Sequence, residues 1–232
     1  ESFSEPLLVE AIEHYGLEPG DTILDPFSGA GTTVITAVLR GFNGVGIEIN
    51  PFLCFASNVK LNWEVDIDIF KNSVDNVLKH AKPLLNSLSA TKDLYNSFLL
   101  PEARDNSNSI LMNISEPDMP RLYKWMSKIV VQKVLLLKYV IEKHSHESVR
   151  PHFLLALAAI LRTASNMKLS PHAFGSNKIK EDAPVYDLFA QKIEKIYQDL
   201  IYINSIGYHF GIGHIYQNSA KNAGDINDKM LP

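Results

Sequence analysis

Asp25, Gly29, Gly31 and Glu48 have types and spacing that could hold a small charged ligand. The first three lie in one stretch, "DPFSGAGTT", residues 25 to 33. Thr22-Ile23-Leu24 before it are β-formers, and the residues from Thr32 to Arg40 are mostly apolar and helix-compatible. The stretch therefore reads as a strand, a glycine loop and a helix start. Glycine admits backbone angles and a close approach that a side chain blocks, so such a loop can bring N–H groups onto a ligand. No lysine follows it, which excludes a Walker phosphate loop.

Glu48 lies 23 positions after Asp25, at the end of an apolar segment. An acid at the second strand end can accept hydrogen bonds from both hydroxyls of a ribose. Dehydrogenases and methyltransferases both use such an acid. Asp25 divides the two classes. A carboxylate inside the first loop repels a pyrophosphate and attracts the cationic amino-acid end of S-adenosylmethionine, which favours a methyl donor over a dinucleotide.

The elements that must position these residues follow from periodicity and caps. Ser4 can cap a helix from Glu5 to Tyr15, with Leu7, Leu8, Ala11 and Ile12 on one stripe. A strand at 22–25, the loop and a helix to about Arg40 come next. Gly44 to Ile49 is a second strand, apolar enough for the middle of a parallel sheet. Asn50 caps a following helix that has Pro51 at its first position. The pattern then turns helical: 66–95, 121–143, 149–165 and Val185 to Asn204, with loops at 100–120 and 166–184. A strand returns at 214–218. The outline is two βα units, a helical insertion over roughly 66–205, and a third βα start.

The segment "ILDPFSGAGTTVITAVLRGFNGVGIEINP" resembles the cofactor-binding core of the DNA amino-methyltransferases, which methylate adenine N6 or cytosine N4. All nine loop positions match the family's D-P-F-x-G-x-G-T-T pattern, and "SFSEPLLVEAI" resembles the segment before it, with Ser4 where Pro is usual. The resemblance implies an α/β fold: a Rossmann-like methyltransferase sheet interrupted by a mostly helical insertion. Residues 1–65 and 206–232 would form the cofactor domain. It implies S-adenosylmethionine as cofactor, bound by Asp25, Phe27, Ser28, Gly29, Gly31, Thr32, Glu48 and Ile49, with Asn218 near the adenine. Ser2, Phe3 and Glu5 are further candidates.

The family's catalytic motif, (Asp/Asn/Ser)-Pro-Pro-aromatic, holds the target amino group and stacks on the flipped base. The chain contains no Pro-Pro. The catalytic strand is therefore expected beyond residue 232, on a longer parent or on a partner chain, and this polypeptide alone is expected to be inactive. The alternatives are an enzyme whose motif is mutated away, an RNA guanine-N2 methyltransferase, or a non-catalytic cofactor- or DNA-binding subunit.

Charge is unevenly placed. From Arg121 to Lys180 eleven Lys or Arg face only Glu142 and Glu147, a balance of +9 in a chain of −4 overall. Segregation of this kind suits a polyanion, here DNA. Arg121, Lys124 and Lys128 fall on one face if 121–143 is a single helix. Arg162, Ser165, Asn166, Lys168, His172, Asn177, Lys178 and Lys180, around the following loop, mix phosphate binders with possible base readers. A solvated helical surface is the plainer alternative.

Other readings are exclusions. One cysteine, Cys54, forbids an internal disulfide and reads as a small buried hydrophobe. The most apolar run, Phe153 to Leu161, is too short for a bilayer. With no secretory signal in the sequence, a cytoplasmic location is expected. His144, His146 and His152 lack the partners of a metal site, and no metal is expected. Trp63 and Trp125 read as core.

Overall fold

The computed structural model describes residues 5–90, 122–166, 180–206 and 210–225. In chain order the elements are α1 (Glu5–Tyr15), β1 (Thr22–Asp25), α2 (Thr32–Leu39), β2 (Asn43–Glu48), α3 (Pro51–Leu61), α4 (Ile67–Ala90), α5 (Lys128–His144), α6 (Arg150–Ala164), α7 (Val185–Ile206), β3 (Gly213–Gln217) and a 3₁₀ turn (Ala220–Asp225). This is a mixed α/β protein with a small parallel sheet and mostly helical content. It divides into two compact units, Glu1–Glu64 with Ile203–Pro232, and Val65–Tyr202.

In the first unit β2 lies between β1 and β3, and both pairings are parallel. The register sets Asp25 beside Gly46 and Glu48 beside Gln217. β2 is buried along nearly its whole length, as a central parallel strand should be. α2 packs on β1 and β2, and α3 on β2 and β3. Val34, Val38, Cys54 and Ile215 form the buried cluster between them, with Leu61, Trp63 and Phe210 at its margin. Parallel strands need crossover connections, and α2 and the α3-to-α7 segment supply them.

α3 starts where the sequence says it should. The Asn50 side chain accepts from the N–H groups of Phe52 (2.9 Å) and Leu53 (3.3 Å), and Pro51 fills the position where an N–H is not needed. One turn further along, the Asn58 amide meets both backbone groups of Ile215. Its Oδ1 accepts from Ile215 N–H at 2.9 Å and its Nδ2 donates to Ile215 C=O at 2.7 Å. The Cys54 thiol donates to the same carbonyl at 3.3 Å. Cys54 is buried, and that burial together with nearby Glu48 raises its pKa.

In the second unit α4 packs on α5 and α5 on α6. Phe70, Phe153 and Phe189 are fully buried at its centre. Lys133 is buried too, and its Nζ meets Asp182 Oδ1 at 2.6 Å and Oδ2 at 2.8 Å. His80 of α4 and His144 of α5 stack with ring centroids 3.8 Å apart.

The single helix expected over 121–143 is broken. Ser127 is extended, and its hydroxyl caps α5 by accepting from Val130 N–H at 3.3 Å, so α5 begins only at Lys128. Lys124 and Trp125 sit in the turn before it. Trp125 is half-buried, with the Lys124 ammonium 5.6 Å from its ring centroid. Trp63 follows the end of α3 and stands edge-on to Phe210 at 5.1 Å, at the margin of a core and not inside it. Residues 91–120, part of the helix and loop expected there, lie outside the described residues.

Candidate functional site

The glycine loop is held by bonds that pull its carbonyls inward. Ser28 C=O accepts from Gly31 N–H at 2.7 Å, and Gly31 C=O accepts from Ile35 N–H at 2.9 Å as α2 begins. Gly29 C=O accepts from the Ser57 hydroxyl at 3.2 Å, and Ala30 C=O from the Lys60 ammonium. Ser28 N–H donates to Ile47 C=O at 3.0 Å, and so does its buried hydroxyl at 3.2 Å. Asp25 Oδ1 accepts from Phe27 N–H at 3.0 Å, an Asx turn that starts the loop.

The two loop glycines do different work. Gly31 has φ +80°, and a Cβ there would lie 2.8 Å from Ser57 Cβ and 3.0 Å from Ile215 Cδ1. Its lack of a side chain serves the protein's own packing. Gly29 has φ +52°, and a Cβ there would meet nothing nearer than 3.9 Å. Open space for a ligand therefore lies at Gly29.

A cleft of about 450 Å³ opens at the C-terminal ends of β2 and β3. Phe27, Glu48, Ile49 and Asn218 line it, joined by Ser219 and Lys221. Phe27 is 80% exposed and Ile49 72%, so large apolar side chains stand free at its walls. Glu48 is the buried acid among them; its Oε1 accepts from Asn50 N–H at 2.7 Å. Asn218 donates its N–H to Glu48 C=O at 3.2 Å, and its Oδ1 accepts from Ser219 N–H (2.8 Å) and Asn222 Nδ2 (3.2 Å). Apolar walls with a few convergent polar groups are the usual makeup of a small-molecule site. A larger cavity of about 590 Å³ lies by Trp63, Phe210 and Gly213, at the other end of β3, and holds no candidate residue.

Phe27, Glu48, Ile49 and Asn218 thus come together at one cleft. Asp25, Ser28, Gly29, Gly31 and Thr32 form the loop beside it, with Ser28 turned into the protein. Glu5 does not join them. Its Oε1 pairs with Arg40 Nη2 at 3.0 Å, just past the last residue of α2, at the end opposite the glycine loop. Ser2, Phe3, Arg121, Lys168, His172, Asn177 and Lys178 lie outside the described residues.

Of the residues expected to touch DNA, Lys124, Lys128, Arg162 and Lys180 are exposed. Ser165 and Asn166 are buried. The Ser165 hydroxyl donates to Arg162 C=O at 2.8 Å. Asn166 N–H donates to Trp125 C=O at 2.9 Å, and its Oδ1 accepts from Lys180 N–H at 2.7 Å. The Ser165 hydroxyl thus bonds within its own helix end, and the Asn166 side chain ties that end to Lys180.

Sequence reasoning missed Ser57, Lys60 and Lys221. Lys221 follows Asn218 closely enough to have been considered with it. Among the described residues no group of three or more His, Cys, Asp or Glu could hold a metal ion, and no helix is long and apolar enough to cross a membrane.

The glycine loop and the strand-end acid lie at the C-terminal edge of a parallel sheet, the edge at which open α/β sheets bind ligands. Residues 1–58 match the family model described as DNA methylase (N6_N4_Mtase). The chain is 30% identical over 141 residues to Type II methyltransferase M.BsoBI of Geobacillus stearothermophilus, 59% of this chain and 26% of that protein. It is 37% identical over 83 residues to Type II methyltransferase M.MjaII of Methanocaldococcus jannaschii, 36% of this chain and 16% of that protein. Over 49 residues it is 45% identical to a 23S rRNA (uracil(747)-C(5))-methyltransferase of Pyrococcus furiosus, 21% of this chain and 12% of that protein. The chain thus spans about a quarter or less of the length of these relatives. No solved structure gives a significant match.

Proposed function

We propose that the cleft holds S-adenosylmethionine and that the chain is the cofactor-binding portion of a DNA methyltransferase acting on adenine N6 or cytosine N4. The observation that carries this reading is the buried Glu48 carboxylate at the end of β2, opening into the cleft between exposed Phe27 and Ile49. Glu48 would accept from the ribose hydroxyls. Phe27 and Ile49 would cover the adenine ring. Asp25 and the loop N–H groups would take the ammonium and carboxylate of the amino-acid end. The donor carries its methyl on a sulfonium, already activated, so transfer needs chiefly positioning. The DNA substrate and the methyl-transfer reaction are supported by the family-model match over residues 1–58 and by the likeness to two Type II methyltransferases. The exposed cations Lys124, Lys128, Arg162 and Lys180 would contact phosphates.

Calorimetry with S-adenosylhomocysteine on wild type and Glu48→Ala tests the cleft. Loss of a charge-assisted bond to the ribose should cost about 1–3 kcal/mol. Equal affinities would remove Glu48 from the site. With no Pro-Pro motif in its sequence, this polypeptide alone should leave DNA unmethylated in an assay with labelled donor. Turnover above a no-protein control would demand a different catalytic group. Methylation of ribosomal RNA in preference to DNA, in a complex that carries the motif, would overturn the substrate.

A further inference from the structure

Two side chains of α3 reach back to consecutive carbonyls of the glycine loop: Ser57 Oγ to Gly29 C=O at 3.2 Å, and Lys60 Nζ to Ala30 C=O. A trans peptide holds its C=O and its N–H on opposite sides. Fixing Gly29 C=O toward α3 therefore aims Ala30 N–H away from α3. Fixing Ala30 C=O aims Gly31 N–H the other way, into its 2.7 Å bond with Ser28 C=O. The N–H groups of Gly29 and Ala30 have no acceptor among the described residues. Ser28 C=O, held by its bond from Gly31 N–H, turns Gly29 N–H the opposite way, so Gly29 and Ala30 N–H are both left as free donors, the arrangement that receives an anionic oxygen. Gly29, where a Cβ would meet open space, lies at this pair.

We propose that Ser57 and Lys60 are positioning residues: they orient the loop so that Gly29 and Ala30 N–H receive the carboxylate at the amino-acid end of the ligand. This deepens the cleft assignment above and rests on it. Ser57 has a second constraint, because it packs where a Cβ on Gly31 would stand. Lys60 is not among the groups a Cβ on Gly31 would meet, which makes it the cleaner probe.

The test compares two ligands on the full chain. S-adenosylhomocysteine carries the amino-acid end, and methylthioadenosine lacks it. Lys60→Met should weaken S-adenosylhomocysteine about tenfold, the effect of one charge-assisted hydrogen bond acting through the loop. It should leave methylthioadenosine within about twofold of wild type, and Lys60→Arg should restore much of the loss. Equal loss for both ligands would make Lys60 a purely structural residue, and no loss for either would remove it from the site; each outcome overturns the proposal. Glu48→Ala, in contrast, should weaken both ligands, since both carry the ribose. Wild type that binds neither ligand would overturn the cleft assignment itself and this inference with it.

Discussion

Ser28 donates twice to one acceptor: its N–H and its hydroxyl both reach the carbonyl of Ile47, at 3.0 and 3.2 Å. Ile47 precedes Glu48, so the loop is tied to the strand that ends in the buried acid. Ser28→Ala removes one of the two bonds and leaves the carbonyl satisfied by the other. The expected cost is about 1 kcal/mol in chemical denaturation. A loss several times larger would mean that the hydroxyl holds the loop alone.

The glycines should separate cleanly. Gly31→Ala meets both a left-handed backbone and a Cβ wedged against Ser57 and Ile215. Gly29→Ala meets only the backbone term, about 1–2 kcal/mol. Overpacking adds about 1–3 kcal/mol at Gly31. Unfolding curves for the two variants should therefore rank Gly31→Ala as the worse. Equal stabilities would contradict the packing described here.

The Lys133–Asp182 pair is lopsided: the lysine side chain is 5% exposed and the aspartate 42%. Removing the aspartate strands a buried ammonium. Removing the lysine leaves a carboxylate that water can reach. Asp182→Ala should cost about 3–5 kcal/mol and Lys133→Met about 1–2. Thermal unfolding of both variants checks the order.

The stacked histidines give a pH dependence with a definite sign. Burial lowers the pKa of His144, and His80 and Lys143 lower it further. The unfolded chain therefore takes a proton there before the folded chain does. The stability tied to neutral His144 is present above its ordinary value of 6.5 and is lost as pH falls from there toward the depressed folded value. Tm should drop as pH falls below the ordinary value of 6.5. His80→Gln should shrink the drop by removing one repelling charge, and an unchanged profile would clear His80 of any part.

On the proposed DNA reading, Lys124, Lys128, Arg162 and Lys180 each neutralise a phosphate. Changing all four to Gln should flatten the log–log salt slope of duplex binding by about three to four units. The measurement belongs in a complex that grips the duplex. A mutant with the wild-type slope would leave these cations as a solvated face.

What could be read from the sequence was local. The glycine loop, the Asn50 cap and the apolar run of β2 each follow from neighbours within a few positions, and each appears in the structure. Ser127 caps α5 in the structure, but the apolar Leu122, Trp125 and Met126 before it continue a helical rhythm that hides the break. Ser165 and Asn166 read as surface because their types are polar; both are buried, and Asn166 N–H meets the carbonyl of Trp125, about forty positions earlier. Glu5 went to Arg40 and the loop carbonyls to Ser57 and Lys60. Such pairings are set by how α1, α2 and α3 come to rest on the sheet, which no short window contains.

The Asn58 amide bonded to both groups of Ile215 has a consequence for self-association. A free strand margin offers a row of backbone donors and acceptors on which another chain can add itself. At Ile215 both are already taken by a side chain that imitates the missing neighbour. A second copy trying to zip onto β3 would first have to evict Asn58 and find it other partners. Among the described residues β3 is an edge of the sheet, and one residue closes its midpoint to edge-to-edge aggregation without a proline, a bulge or a surface charge.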